Sequence, residues 1–82
     1  MYLHIGGQSM IKQSDIVAIL DMETTSVSKK TREFLRECER RGQVVNVAED
    51  IPKSYILCNE NGGDKVYISQ ISSATLLKRS EE

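Results

Sequence analysis

The sequence predicts an α+β fold: a small antiparallel sheet of about five to six short strands, one main helix at about residues 28–41, and a short C-terminal helix. Three observations predict this class. Short apolar runs are bounded by glycine-rich turns, one segment carries a helical stripe, and the chain has 82 residues, enough for one domain. We therefore expect residues 1–82 to form a single domain with an aliphatic core.

The first third of the chain predicts three strands. Residues 2–5 and 10–11 are apolar-rich segments separated by Gly6 and Gly7, which is typical of a β-hairpin. Residues 16–20 form a continuous apolar run of strand length, which predicts a central strand buried on both faces. Residues 21–27 then read as a polar connector.

The helix at residues 28–41 is predicted by periodicity. Apolar or small residues recur on one helical stripe at Val27, Thr31, Phe34, Leu35 and Cys38. Ser28 is a plausible N-cap, since its hydroxyl can accept from an amide of the first turn. Gly42 suits the left-handed position just past the helix end.

The second half of the chain predicts a packing unit of strands and a short helix. Residues 44–47 and 54–58 read as strands, and the turn residues at 61–64 predict a hairpin to a strand at residues 65–71. Ser72 or Ser73 then caps a helix that runs through Arg79.

The charge distribution is uneven although the net charge is only −1. Residues 28–42 hold six basic and three acidic residues, whereas residues 43–64 hold four acidic residues and Lys53 alone. The small net charge argues against indiscriminate binding of nucleic acid. The uneven distribution still allows a local basic patch on the surface.

Lys29, Lys30 and Arg32 lie at the start of the predicted helix, where the backbone amides already carry partial positive charge. Such a cluster favours an anion. The face shared by Lys29, Arg32, Arg36 and Arg40 would also let the helix lie along a nucleic-acid backbone. The alternative is a solvated helix face, partly neutralised by three carboxylates that include Glu37, four residues before Arg41.

The other candidate functional residues are better explained by structural roles. The loop at residues 49–53 is either a binding loop, with Lys53 as its cation and Pro52 as its stiffener, or a simple connector. His4 reads as a satisfied strand residue, and the oxygen-rich residues 59–64 read as a turn, since they lack the span and closing Glu of a calcium loop.

No catalytic motif is found in the sequence, so we expect no enzyme, metal, cofactor or small-molecule substrate. A small-molecule or metal enzyme would rest only on His4, Cys38 and Cys58. The two cysteines lack the CxxC spacing and are expected to be buried, reduced thiols. No apolar run reaches the roughly 18 residues of a membrane span, and the expected location is the cytoplasm.

Several short segments, in this order and at this chain length, resemble the RemA/RemB family of bacterial extracellular-matrix regulators. They are residues 2–6, YLHIG; residues 15–21, DIVAILD; residues 39–42, ERRG; residues 52–54, PKS; and residues 72–76, SSATL. The resemblance covers nearly the whole chain. It implies a cytoplasmic, non-enzymatic protein that forms homo-oligomeric rings, binds duplex DNA through repeated basic loops and activates transcription of biofilm-matrix genes.

The chain departs from that pattern in its charged loop. RemA-like members carry paired arginines where this chain has Glu49, Asp50 and Ile51, and RemB-like members usually carry proline at the position of Gln70. Asp15 also stands where RemA-like members carry a basic residue, just before the third strand. The expected contacts to double-stranded DNA are therefore Lys53, Lys12, Lys29, Lys30 and Arg32. The alternative is an oligomeric protein-interaction module of the same fold that has lost DNA binding.

Overall fold

The computed structural model describes residues 1–22 and 28–81, and it confirms the α+β class. Within these residues the chain forms six strands, two α-helices and one 3₁₀ turn at Gln13–Asp15. The strands are β1 (Tyr2–Gly6), β2 (Ser9–Lys12), β3 (Ile16–Asp21), β4 (Val44–Asn46), β5 (Ser54–Glu60) and β6 (Gly63–Ser69). The helices are α1 (Lys29–Arg40) and α2 (Ser73–Ser80).

The predicted N-terminal hairpin is confirmed as a separate two-stranded sheet of β1 and β2. Its inner face carries Leu3, Ile5 and Ile11, which are all buried. Its outer face exposes Tyr2 and Met10. This alternation is the period of two that a half-buried strand requires.

The other four strands form a second sheet in the order β3-β5-β6-β4. The strands are therefore divided between two sheets, and one pair, β4 with β6, is parallel. The parallel pair arises because β6 lies between β5 and β4 in the sheet. The chain reverses from β4 to β5 and again from β5 to β6, so β4 and β6 run the same way.

The prediction that residues 16–20 form a central strand buried on both faces is wrong. The strand exists as β3, but it lies at one end of the described sheet order, and its residue Val17 is 70% exposed. The pairing of β3 with β5 shifts register between Ile16 and Ala18, so Val17 sits at a bulge. A run of apolar residues indicates a preference for burial, but it does not specify which strands lie on either side.

The β5–β6 hairpin confirms the predicted turn and locates it at two residues. Glu60 faces Gly63 in the register, and between them Asn61 and Gly62 have φ angles of 54° and 81°. Two successive residues with positive φ make the tight turn whose twist matches the flanking strands. Asn and Gly are the residues that adopt this conformation at least cost.

Both helix starts are capped by serine. The hydroxyls of Ser28 and Ser72 accept from the backbone amides of Thr31 and Thr75, each at 3.2 Å. The Ser28 cap is thus confirmed, and of the two candidates for α2 the cap is Ser72. After α1, Gly42 adopts a φ of 72°, as a left-handed helix terminus requires. Val27, which the helical stripe included, lies outside the described residues.

The core lies between the hairpin and one face of the four-stranded sheet. Its buried residues come from β1, β2, β5, β6 and α2, and they are Leu3, Ile5, Ile11, Ile56, Cys58, Tyr67 and Leu76. Val66 and Cys38 are also buried but fall outside this cluster. Because side chains alternate along β6, Val66 points to the opposite face from Tyr67, and this is the face that α1 covers.

The four-stranded sheet has two ends, and the candidate site depends on both. At one end, Asp21 of β3 faces Ser54 of β5, and Ser54 faces Ser69 of β6. We call this the Ser54 end. At the other end, Cys58 of β5 faces Ile16 of β3 and Lys65 of β6, and we call this the Cys58 end.

Candidate nucleic-acid interface

Lys53 lies at the Ser54 end, where its backbone is held on both sides. Its amide donates to the carbonyl oxygen of Ser69 at 2.8 Å, and its own carbonyl accepts from the amide of Met22 at 3.0 Å. The residue as a whole is nevertheless exposed. A cation with a fixed backbone and an exposed ammonium group is suited to contact a phosphate without ordering a mobile loop.

The loop before Lys53 is shaped by Gln70. The side-chain oxygen Oε1 of Gln70 accepts from the amides of Glu49 at 2.6 Å and Asp50 at 3.0 Å. The carboxylate of Asp50 in turn accepts from the amide of Ile51 at 2.8 Å. Sequence reasoning missed this role, because the donors lie 20 and 21 residues from Gln70 and no local pattern links them.

We call residues 49–52 the acidic tip. All four residues are exposed, and Ile51 is 74% exposed. An ideal Cβ on Gly7 would lie 3.2 Å from Oε1 of Glu49, so this carboxylate sits beside the turn of the N-terminal hairpin. Within the part of the chain that the structure describes, neither acidic side chain forms a salt bridge.

The basic cluster at the start of α1 is exposed in the structure. Lys29, Lys30 and Arg32 all face solvent, and the first turn of the helix carries no acidic residue. Over residues 1–22 and 28–81, none of the three forms a salt bridge. The start of the helix therefore presents three cations together with the partial positive charge of the helix N-terminus.

The far end of α1 behaves differently, because there two basic residues are paired with a carboxylate. Glu37 forms salt bridges with Arg40 and Arg41, the latter at 2.9 Å. The hydrogen bond from Arg40 lowers the pKa of the Glu37 carboxyl, and both arginine charges act in the same direction. The basic character of the helix is thus concentrated at its first turn.

Lys12, the last of the predicted contacts, lies at the end of β2. It faces Tyr2 across the hairpin, and both residues are exposed on its outer side. The 3₁₀ turn that follows leads directly into Ile16 at the Cys58 end. Lys12 is therefore nearer to the Cys58 end than to Lys53.

The structure does not bring the predicted contacts into one patch. Lys53 is at the Ser54 end, whereas Lys30 lines a groove with Val17 and Cys58 at the Cys58 end. Ser54 and Cys58 are four positions apart on an extended strand, which corresponds to about 14 Å. This separation exceeds the screening length of roughly 8 Å at physiological salt, so the two basic regions act as separate sites in one chain.

The residues that could have supported an enzyme have structural partners. Nε2 of His4 donates to the carbonyl of Gly7 at 2.7 Å, and Nδ1 lies 3.3 Å from the guanidinium of Arg79. Cys38 and Cys58 are free and buried, as predicted. Burial raises the pKa of both thiols, that of Cys58 to about 11, so at neutral pH they are protonated and poorly nucleophilic.

Two further findings concern metals and membranes. Among the described side chains, no group of three or more His, Cys, Asp or Glu residues is placed to hold a metal ion. The oxygen-rich hairpin turn is held by its own contacts, since the Asn59 amide donates to the Asp64 carboxylate at 3.2 Å. Neither described helix has the length and apolar character needed to cross a membrane.

The described residues form a small α+β fold with exposed basic residues, and comparison of the sequence with known families gives its class. Residues 2–79 match the RemA-like family, described as extracellular matrix regulatory protein A-like, and the chain belongs to this family of extracellular-matrix regulators. The chain is also similar to extracellular matrix regulatory protein B of Bacillus subtilis (strain 168). The two are 33% identical over 81 residues, which cover 99% of this chain and 91% of the relative.

Proposed function

We propose that this protein is a cytoplasmic, non-enzymatic transcriptional regulator of biofilm-matrix genes that binds double-stranded DNA as a homo-oligomeric ring. The observation that carries the proposal is the position of Lys53. Its backbone is fixed by Ser69 and Met22, and its side chain is exposed. Family membership supports the regulatory role, and the basic start of α1 and Lys12 supply further cations.

Repetition of the subunit compensates for the weak charge of each copy. A single phosphate contact is weak and screened by salt, and the chain has a net charge of −1. When copies are joined in a ring, each further contact becomes intramolecular, and the combined affinity exceeds that of one site by orders of magnitude. One lysine per subunit then contributes several phosphate contacts to the assembly.

The experiment is a titration of duplex DNA across a salt series. We expect Lys53→Ala to weaken binding at every sequence and to reduce the slope of log affinity against log salt by about 0.9 for each phosphate that the variant no longer neutralises. Lys78→Ala is the matched control, because Lys78 is an exposed lysine on α2 that is not among the expected DNA-binding residues. Binding that is absent, or independent of salt, contradicts the proposal.

A second function is favoured by one observation. Glu49 and Asp50 lie just before Lys53 on an exposed loop, and no salt bridge in the described residues neutralises them. Two such carboxylates repel a phosphate backbone, which suits an oligomeric protein-interaction module that has lost DNA binding. A stable protein partner in a pull-down, together with no shift of duplex DNA, would favour this module over the regulator.

A further inference from the structure

Two exposed surfaces of opposite charge lie at opposite ends of the four-stranded sheet. The first is the acidic tip at the Ser54 end, where two carboxylates adjoin the exposed apolar side chain of Ile51. Gln70 fixes this loop through two backbone amides, so the tip is presented in a defined conformation. An exposed apolar residue beside charges that form no salt bridge within residues 1–22 and 28–81 has the composition of an interface anchor.

The second surface is a groove at the Cys58 end, which we call the α1 groove. It has a volume of about 270 Å³, and the described residues that line it are Val17, Lys30, Thr31, Phe34, Leu57, Cys58 and Asp64. Most of this lining is apolar. Lys30 provides a cation in this lining, and Lys29 and Arg32 lie close to it on the helix. These three cations outnumber the carboxylate of Asp64, which accepts a hydrogen bond from Asn59.

The acidic tip cannot reach the α1 groove of its own chain. Ser54 and Cys58, which mark the two ends of the sheet, are about 14 Å apart, and hydrogen bonds to Gln70 and Ser69 hold the tip at its own end. A contact between them therefore requires two molecules. Because the contact joins different surfaces, it is head-to-tail, and repeated contacts of this kind form a ring when the rotation closes.

We propose that the acidic tip of one copy docks in the α1 groove of a second copy of this chain. Ile51 then enters the apolar groove beside Val17 and Phe34. Glu49 and Asp50 face the exposed cations at the start of the neighbour's helix. The partner is a second copy because the charges are complementary: the tip carries two carboxylates, and the helix start carries Lys29, Lys30 and Arg32 with no acidic residue in its first turn.

This contact also completes the nucleic-acid site, a consequence that rests on the proposed function. Lys53 directly follows the tip, so docking places it beside the basic helix start of the neighbouring copy. The two basic regions that one chain holds apart become one surface across the subunit boundary. The carboxylates of the tip then act as interface groups and no longer face the DNA.

The experiment reverses each charged surface separately. One variant carries Glu49→Lys with Asp50→Lys, and the other carries Lys29→Glu with Lys30→Glu. All four residues lie at the surface, so both variants are expected to keep the melting temperature of the wild type. Light scattering coupled to size exclusion should show weaker self-assembly for each variant alone. Mixing the two should restore assembly, because a basic tip then meets an acidic helix.

Two further variants separate the apolar contact from general surface effects. Ile51→Ser should weaken assembly by about tenfold or more without loss of fold, since the side chain is buried only in the assembly. Lys78→Glu, an exposed charge outside both surfaces, should leave assembly unchanged. The proposed contact is wrong if the tip variants assemble as well as the wild type, or if mixing the two charge-reversed variants does not restore assembly.

Duplex DNA distinguishes failure of this contact from failure of the proposed function. If Ile51→Ser, which leaves the charge of the tip unchanged, reduces DNA affinity together with assembly, the composite site is supported. If Ile51→Ser assembles and binds DNA as tightly as the wild type, the contact is wrong and the regulator remains. If assembly responds as expected but no duplex is bound, the DNA function fails and the interface stands.

Discussion

The hydroxyl of Ser69 donates a hydrogen bond to the carbonyl oxygen of Ile5 at 2.6 Å, across 64 residues of sequence. Both residues are fully buried. The same hydroxyl oxygen accepts from the amide of Ile71 at 3.0 Å. One serine thus joins the N-terminal hairpin to the four-stranded sheet and fixes the chain as it leaves β6 for α2.

We expect Ser69→Ala to lower the free energy of unfolding by about 1–3 kcal/mol, because it leaves the buried carbonyl of Ile5 without its donor. Urea unfolding measures the decrease. Ser14→Ala is the matched control, since Ser14 is exposed, and it should change stability by less than about 0.5 kcal/mol. Equal stability of the two variants would contradict a role for this bond.

Ser72 and Ser73 provide a test of the α2 cap in adjacent positions. Ser72 caps the helix, whereas Ser73 is its first helical residue. Ser72→Ala should cost about 1 kcal/mol, because the amide of Thr75 loses its acceptor. Ser73→Ala should cost nothing or stabilise slightly, since alanine has the highest helix propensity. Thermal melts that show the same decrease for both would place the cap elsewhere.

Gln70→Ala should free the amides of Glu49 and Asp50 to exchange with solvent. Because a net hydrogen bond contributes about 1 kcal/mol, their hydrogen exchange should accelerate about fivefold. Gln70→Glu keeps an acceptor oxygen at the same reach and should preserve most of the protection. NMR measures the hydrogen-exchange rate of each amide separately. Unchanged rates in Gln70→Ala would contradict the role of this side chain.

The stability of the protein should fall at high pH. Burial, with the charge of Glu60 second, raises the pKa of Cys58 from 9.0 to about 11. A raised pKa means that the folded state keeps its proton between these values while the unfolded state loses it. The contribution is therefore complete below pH 9 and is lost as the pH rises through about 11.

Urea unfolding at several pH values from about 8 upwards measures this decline. Burial and a hydrogen bond to Glu60 also raise the pKa of Tyr67, which acts in the same direction. Cys58→Ala is the comparison variant. It starts from a lower stability, because it leaves a small cavity, but its stability should decline less with pH. If the stability of the variant and of the wild type declines equally with pH, Cys58 does not cause the pH dependence.

The turns and helix ends could be predicted from the sequence, because each is specified by residues near one another in the chain. Asn61 and Gly62 specify a two-residue turn, and Ser28 and Gly42 mark the two limits of α1. These signals depend on backbone conformations that few residue types adopt and on hydrogen bonds that span three residues. The exposed cations of the candidate site were also predictable, since lysine and arginine are rarely buried.

The sequence alone determined the fold class, the hairpins, the helix limits and the cations available for binding. Only the tertiary structure decided where these parts lie relative to one another. It placed Val17 at the sheet edge, tied the loop at residues 49–50 to Gln70, and put Lys53 and Lys30 at opposite ends of the sheet. The physical reason is that strand order and long-range hydrogen bonds depend on residues far apart in sequence, whereas periodicity and turn chemistry report only local preference.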